Sequence, residues 1–268
     1  MAQVNTTTSI LFDGVTDRLQ DNAITNAFRD ALRLSGGKVW LEVWFRTTTT
    51  TFGYLVAIND PGAARPKFRI EIRADGKIKG SIERNSVVNT PVSVLAFNDD
   101  VWHQAILITE GNLLYLVMNG IEGSPSGTIS GNGTDTGTRF QVGAQVTSNH
   151  YAGNLTQVRA GIAYTDSRAT LISKLFDGSG QPVDVSGLTG IGLHAFYELP
   201  AVTPPLVTAD IGLDNGTPST DLDNITGLII ADAVLDYPPI ILPPSPRGIK
   251  TAKGMGSPAG WIHFGGLK

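Results

Sequence analysis

Few residues of this sequence have a type and spacing that could do chemistry. Hydrolysis of a glycosidic bond needs two carboxylates facing one cleft, roughly 5 to 9 Å apart. Glu42 is alone between two apolar residues, and Glu71 is separated from Asp75 by a turn. Arg69 and Arg73 flank Glu71 two positions away on either side. The pattern indicates a solvated, salt-bridged sheet face and not a pair of catalytic carboxylates.

The four histidines are also dispersed. His103, His150, His194 and His263 include no pair at the spacing of helical metal ligands. The sequence has no cysteine, which excludes thiolate metal sites and disulfide bonds. No nucleophile elbow, phosphate-binding loop or dinucleotide-binding motif occurs in a usable context. We therefore predict that the chain is not an enzyme and requires no cofactor.

The elements that would position these residues are mainly strands. Residues 39–46 carry apolar side chains at all four odd positions, a period of two that places them on one strand face. Residues 68–73 alternate apolar and charged side chains, and the Asp-Gly pair at 75–76 predicts a hairpin turn. Residues 102–118 form a second predicted hairpin, and the Asn-Gly pair at 119–120 turns the chain again.

One helix is predicted, capped by Asp166 or Ser167, with an apolar stripe formed by Leu171, Ile172 and Leu175. The remaining pattern gives about eleven strands, the last at 225–234. Short strands separated by Gly- and Pro-containing turns are typical of all-β proteins. The fold class that we predict is an all-β, antiparallel β-sandwich jelly roll with one short helix.

Composition limits the partners. The chain has 268 residues with 41% hydrophobic and 16% charged residues, and its net charge of −4 does not favour nucleic acid. No apolar run approaches the roughly 20 residues that span a bilayer, so no membrane insertion is predicted. The first residues lack the basic and apolar regions of a signal peptide. We expect synthesis in the cytoplasm of a host cell.

The end of the chain differs from the rest. We predict a sandwich domain over residues 1–236, closed by residues 178–236, and an extended Pro/Gly-rich arm over residues 237–268. The arm has four basic and no acidic residues, so it carries +4 and the remainder −8, which together give −4. Such an arm has no core of its own and must lie against a protein surface. The side chains expected to contact a partner are Ile240, Ile241, Leu242, Arg247, Lys250, Lys253, Trp261 and Phe264.

Five segments follow one another in an order that is specific as a set. They are residues 10–17 (Ile-Leu-Phe-Asp-Gly-Val-Thr-Asp), 32–45 (containing Leu-Arg-Leu-Ser-Gly and Glu-Val-Trp), 101–105 (Val-Trp-His-Gln-Ala), 114–120 (Leu-Tyr-Leu-Val-Met-Asn-Gly) and 142–159 (Val-Gly, then Tyr-Ala-Gly-Asn-Leu-Thr-Gln-Val-Arg). Together, over about residues 8 to 176, they resemble laminin G and concanavalin A-like lectin domains. This resemblance implies a concanavalin A-like sandwich.

The resemblance also implies a calcium site. Many relatives hold one Ca²⁺, and Asp13 and Asp17 match acidic positions of the opening motif. Asn119, Gln157 and Val158 stand where the family has acidic residues, so part of the usual ligand set is missing. Calcium at Asp13 and Asp17 is therefore one expectation, and a purely structural turn at Asp13 is the alternative.

Glycan binding is the common non-enzymatic role of such domains. Tyr151 and Trp40 are the aromatic candidates for a glycan platform, although Trp40 shares a strand face with Trp44 and equally suits a core position. The glycan-binding residues themselves remain unassigned by the sequence.

Three functional hypotheses follow. The first is a bacteriophage virion structural protein, a capsid decoration or head-fibre protein that its arm anchors to other virion proteins and to copies of itself. This hypothesis rests on the resemblance to phage domains with docking arms. The second is a tail-fibre or spike lectin that binds host surface glycans. The third is a glycoside hydrolase, which the scattered carboxylates disfavour.

Overall fold

The computed structural model describes residues 9–21, 26–59, 68–84, 87–129, 139–144, 148–185, 187–197, 223–226 and 233–234. These residues form two packed antiparallel sheets and two short helices. The elements in chain order are β1 (Ser9–Asp13), β2 (Arg18–Asp21), α1 (Asn26–Arg33), β3 (Val39–Arg46), β4 (Gly53–Asn59), β5 (Phe68–Ile72), β6 (Lys77–Arg84), β7 (Val87–Asn89), β8 (Val92–Ala96), β9 (His103–Glu110), β10 (Leu113–Met118), β11 (Ile121–Glu122), β12 (Arg139–Val142), β13 (Ala152–Ile162), α2 (Arg168–Leu175), β14 (Leu193–Tyr197), β15 (Asp223–Thr226) and β16 (Ala233–Val234).

The two sheets have eight strands each among the residues described. The first runs in the order β11-β10-β9-β3-β13-β1-β16, with β14 also paired to β13. The second runs β15-β2-β12-β4-β5-β6-β7, with β8 paired to β6 beside β7. Non-sequential neighbours such as β3 and β13 show that the chain crosses repeatedly between sheets, as in a jelly roll. The predicted sandwich is thus confirmed.

The core between the sheets is built by side chains that alternate along each strand. In β3 the odd positions Val39, Leu41, Val43 and Phe45 all belong to this core, as their period of two predicts. Ile70 of β5 lies in the same cluster. Because one face of every central strand is packed in this layer, register is strongly specified.

A second apolar layer covers the outer face of the first sheet. Trp40 of β3 and Tyr115 of β10 pack there against α2 and the segment that follows it. The Trp40 indole Nε1 donates a hydrogen bond to the Ile191 carbonyl at 2.6 Å. The first sheet is therefore buried on both faces along β3 and β9, which read as continuously buried strands.

The two helices differ in how well the sequence predicts them. In α2 the Ser167 side chain accepts a hydrogen bond from the Thr170 N–H, and the predicted stripe of Leu171, Ile172 and Leu175 is buried, so this helix is confirmed. The second helix, α1, was not predicted. Phe28 and Leu32 lie four positions apart on it and are buried, a spacing that indicates a helical face.

Other expectations are corrected by the structure. The single last strand predicted at 225–234 is two short strands, β15 in the second sheet and β16 in the first.

The charged face of β5 is not solvated, because Arg69 is 6% and Glu71 2% exposed. Register places Tyr54 and Lys79 on either side of Glu71, and these long side chains flank the Arg69–Glu71 ion pair.

Within the described part of the chain, no helix has the length and apolar content needed to cross a membrane.

Candidate functional site

The most exposed apolar surface of the described residues lies where one edge of each sheet meets the other. It is formed by β8 of the second sheet and by β10 and β11 of the first, with a groove of about 360 Å³ between them. We call it the edge groove. Its apolar lining includes Pro91, Val92, Val94, Leu95, Met118 and Ile121.

Side-chain exposure in the edge groove is unusual for an aliphatic surface. Val94 is 86%, Leu95 68% and Ile121 76% exposed. Single exposed aliphatic residues are ordinary, but contiguous patches mark interaction surfaces. The groove therefore has the character of an interaction surface.

The chain's own pairing explains why β8 projects outward. Lys77 pairs with Ala96 and Lys79 with Val92, so β8 spans four residue steps where β6 spans two. Ser93 Oγ accepts the Ile78 N–H at 2.9 Å, so a side chain takes the place of a ladder carbonyl. A bulge of this kind bends its strand away from its neighbour. The bulge lies at Val94 and Leu95 and places both side chains in solvent.

The opposite wall of the edge groove depends on the predicted Asn-Gly turn. Asn119 and Gly120 have φ values of 49° and 74°, the left-handed pair that a tight hairpin requires. Asn119 Oδ1 accepts the Gln104 N–H at 2.8 Å, and its amide contacts His103 Nδ1 at 3.0 Å. His103 Nε2 in turn contacts Asp99 Oδ1 at 2.8 Å. These contacts fix the turn that presents Ile121.

The edge groove was not predicted from the sequence. Residues 92–96 are largely apolar and β-branched and directly follow Pro91, a combination that favours an edge strand. That signal was available, but it could not show that Ile121 would lie alongside. The juxtaposition depends on how the two sheets stack.

A smaller polar cleft of about 330 Å³ lies at the ends of β1, β3 and β13, which are neighbours in the first sheet. Arg46, Thr48, Thr49, Asp100 and Asn154 are among the residues that line it. Arg46 Nε pairs with Asp100 Oδ1 at 2.9 Å, and Thr49 Oγ1 lies 2.8 Å from the Thr51 hydroxyl. Clustered hydroxyl, amide and charged groups of this kind can hydrogen-bond a polar ligand.

The predicted calcium ligands are brought together, but they are already engaged. Asp13 Oδ1 accepts the N–H groups of Val15, Thr16 and Asp17 at 2.7, 2.9 and 3.2 Å. Asp17 Oδ2 accepts the Asp13 N–H at 2.6 Å. Burial raises the pKa of Asp13, but the hydrogen bonds from Thr16, Val15 and Asp17 outweigh it and hold the pKa below its ordinary value.

Calcium needs six to eight oxygen ligands, and among the described residues no three His, Asp or Glu side chains form a group that could hold a metal. The two aspartates close a turn and do not fit a calcium site by their side chains alone. Calcium at Asp13 and Asp17 stays an untested expectation, and these contacts favour the alternative, a structural turn at Asp13.

The aromatic candidates for a glycan platform are wrong. Trp40 and Tyr151 are both 0% exposed. The Tyr151 hydroxyl donates to the Arg46 carbonyl at 2.8 Å, and burial raises the pKa of Tyr151. Trp40 and Trp44 share the α2-facing side of β3, the core alternative that the sequence offered.

The candidate carboxylates are not arranged for hydrolysis. Glu42 is 0% exposed and contacts Arg159, while Glu71 contacts Arg69 and Lys79. The arm residues Ile240, Ile241, Leu242, Arg247, Lys250, Lys253, Trp261 and Phe264 lie outside the described residues, as does His263.

No protein-family model matches the sequence, and no curated protein matches it. Solved structures do. A Bacteroides ovatus protein to which carbohydrate binding is ascribed aligns with 12% identity over 87% of this chain and 62% of its own, with a TM-score of 0.53. The mouse laminin α1 domains LG4-5 align with 16% identity over 57% of this chain and 40% of theirs, with a TM-score of 0.40.

A heptameric SAP-like pentraxin from Limulus polyphemus aligns with 13% identity over 71% of this chain and 91% of its own, with a TM-score of 0.45. The chain spans less than two thirds of the laminin and Bacteroides chains. Identities this low speak to the fold alone. The described residues form an antiparallel β-sandwich jelly roll, and the Bacteroides ovatus protein is similar to this chain in fold.

Proposed function

We propose that this chain is a non-enzymatic structural protein of a bacteriophage virion, a capsid decoration or head-fibre protein that associates with neighbouring proteins through the edge groove. The observation that carries the assembly role is the exposure of Val94, Leu95 and Ile121 on one continuous surface. Removing such side chains from water contributes about 25 cal/mol per Å² of apolar area. A partner that covers the groove would therefore be stabilised on it.

The chemistry of the edge groove favours a protein partner. Its most exposed side chains are aliphatic, with Glu122 and Ser124 at its border, whereas a glycan site needs several hydrogen-bonding groups around an apolar or aromatic surface. Val92, Val94 and Leu95 offer no hydrogen-bonding side chains. The apolar segments that most readily fill such a groove are extended peptide chains at a sheet edge.

The virion assignment rests on the sequence. The segment order resembles laminin G-like domains of phage particles, and the arm over residues 237–268 resembles the docking arms of virion proteins. A chain without cysteine needs no oxidising compartment to fold, which suits a particle assembled in a bacterial cytoplasm.

The non-enzymatic part of the proposal is supported by the state of the carboxylates. A retaining or inverting glycosidase needs one carboxylate to move a proton and the other to face the sugar or a water molecule. Glu42 is enclosed beneath α2, and Glu71 contacts two cationic side chains. Neither is placed in the edge groove or in the polar cleft.

Immunogold electron microscopy of purified phage particles, with an antibody raised against the full chain, tests the proposal. Label over the head is the expected result. Label confined to the tail tip or fibres would shift the function to host recognition. Particles without label would overturn the virion assignment.

A second candidate is a tail-fibre or spike lectin for host surface glycans. The polar cleft favours it, together with the similarity in fold to the Bacteroides ovatus protein to which carbohydrate binding is ascribed. Saturable binding of host polysaccharide to the full chain would support this role. We expect Thr48→Val to weaken that binding several-fold, since the Thr48 hydroxyl lines the cleft, whereas exposed Thr128→Val, outside the cleft, serves as the matched control.

A further inference from the structure

We infer that the edge groove of one copy binds residues 238–246 of a second copy, so that the chain assembles head to tail. This inference rests on the proposed assembly function and names the partner. Its basis is the open groove, the composition of the arm and the place where the chain leaves the described structure.

Both walls of the groove are sheet edges. Within the described strands, β8 pairs only with β6, and β11 pairs only with β10. An extended segment can lie along such an edge and place alternate side chains in the apolar groove. The same edges in a lone subunit would invite uncontrolled pairing, which proteins generally prevent by covering them.

Residues 238–246 have the composition of an extended ligand. Ile240, Ile241 and Leu242 lie between two proline pairs, which restrict the segment to extended or polyproline II backbone. Three consecutive large aliphatic side chains in an extended chain cannot all turn toward one core of their own. A preformed extended segment also loses less conformational entropy on binding than an unrestricted one.

Charge favours the same pairing. Residues 237–268 carry +4, and the remaining residues carry −8. Arg247 and Lys250 follow the apolar segment directly. Beside the groove, the Asp99 carboxylate is 55% exposed and contacts His103, which contacts groove residue Asn119. Complementary charge of this kind sets the direction of docking more than its strength.

The position of β16 indicates that the occupant comes from another copy. β16 and β11 are the two opposite ends of the first sheet, separated by six strand intervals. At about 4.8 Å each, these intervals span roughly 29 Å. Ile240 is six residues beyond Val234, and six extended residues reach at most about 20 to 22 Å. Measured along the sheet, Ile240 of the same copy therefore falls short of β11 in its own groove.

This arrangement has a fixed geometry. β16, the last described strand, lies at one edge of the first sheet, and the groove lies at the opposite edge. Contacts between two different surfaces are heterologous, and they generate a ring if the rotation closes or a filament if it does not. Each subunit thus donates one arm and accepts one arm.

Sedimentation velocity of four forms of the full chain tests the inference. They are the wild type, the groove variant Val94→Glu, the arm variant Ile241→Asp and the control Val15→Glu. Val15 is 69% exposed and distant in the fold from the groove, so it matches the exposed Val94 in chemistry. We expect oligomers from the wild type and the control, and single chains from the other two.

The decisive sample is an equimolar mixture of the groove and arm variants. The groove variant retains an intact arm, and the arm variant retains an intact groove. One contact can form and no further subunit can add, so the mass should double and stop there. A cooperative thermal unfolding transition in each of the four forms would show that every variant is folded, and the oligomers should unfold at the higher temperature.

Other outcomes separate this inference from the proposed function. A mixture that stays monomeric, while Val94→Glu alone abolishes oligomers, means that the groove binds something other than this segment. The inference then fails, and the assembly function stands. Wild-type chains that are monomeric at every concentration also overturn the inference. If Val94→Glu retains wild-type oligomers and is incorporated into particles, the inference and the role of the edge groove in assembly are both wrong, and only the virion assignment stands.

Discussion

Glu42 and Arg159 form an ion pair in which neither side chain is exposed to solvent, with Nη1 3.3 Å from Oε1. Trp44 and Gln104 donate further hydrogen bonds to Glu42 Oε1 at 3.0 and 2.8 Å. Burial raises the pKa of Glu42, and the nearby Arg159, Gln104 and Trp44 act in the opposite direction. The cluster joins β3, β9 and β13 beneath α2, which is a structural role.

Removal of one partner from this pair should be costly. Glu42→Ala leaves the Arg159 guanidinium buried without its carboxylate, so we expect the free energy of unfolding to fall by about 3–5 kcal/mol. Glu42→Gln keeps an oxygen that can accept from Trp44, so its loss should be smaller. Urea denaturation measures both. Asp30→Ala, at an exposed pair with Arg33 within α1, is the control and should cost less than about 1 kcal/mol. A Glu42→Ala chain as stable as wild type would contradict the prediction.

The Asp13 turn should contribute stability that depends on pH. The pKa of Asp13 in the folded chain lies below the ordinary value of about 3.9, so this carboxyl group binds fewer protons on average in the folded chain than in the unfolded chain. The stabilisation is therefore present above that ordinary value and is lost as the pH falls through the folded pKa.

Asp13→Asn removes the charge and retains an oxygen for the turn. We expect the difference in unfolding free energy between wild type and Asp13→Asn to be constant near neutral pH and to shrink toward acid. Denaturation series at several pH values measure it. A difference that grows on acidification would show that the sign is wrong.

Calcium should have little effect on stability. Asp13 Oδ1 already accepts three N–H groups, and Asp17 Oδ2 accepts a fourth. A ligand that binds only the folded state raises the melting temperature by an amount that grows with its concentration relative to its dissociation constant. We expect the same melting temperature in EDTA and in millimolar calcium. A calcium-dependent increase that Asp17→Asn abolishes would instead establish the site implied by the resemblance.

Gly161 should tolerate no side chain. A Cβ at this position would overlap the Trp40 indole, whose Nε1 is held by the Ile191 carbonyl at 2.6 Å. Overpacking of a dense core costs about 1–3 kcal/mol, so Gly161→Ala should lower the unfolding free energy by that amount. Gly187→Ala is the matched control, because no atom lies within 4 Å of its added Cβ. Near-equal stability of the two variants would refute the packing argument.

Much of the fold could be predicted because the patterns that specify it are local. The odd positions of β3 face the core as their alternation predicts, and Asn119 with Gly120 forms the expected left-handed turn. Ser167 caps α2, as expected from its position just before the apolar stripe of the helix. α1 was overlooked because its apolar face consists of only Phe28 and Leu32, too few to stand out in a short helix.

The surroundings of individual polar and aromatic residues could not be predicted in this way. Glu71 and Arg69 belong to an alternating strand that suggests a solvated face, yet Tyr54 and Lys79 flank and cover them through their register. Tyr151 lies in a loop-like stretch, yet its ring is enclosed in the sandwich core. Burial on the second side of a strand depends on elements distant in sequence.

The sequence alone determined the class of fold, the hairpin turns, the capped helix and the absence of disulfide chemistry, since each depends on residue type and short-range period. Tertiary structure decided which residues became neighbours and therefore what individual side chains do. It paired Glu42 with Arg159 across 117 positions and placed Val94 beside Ile121 at the junction of two sheet edges. Long-range pairing and sheet stacking fix such neighbours, and neither leaves a local pattern in the chain.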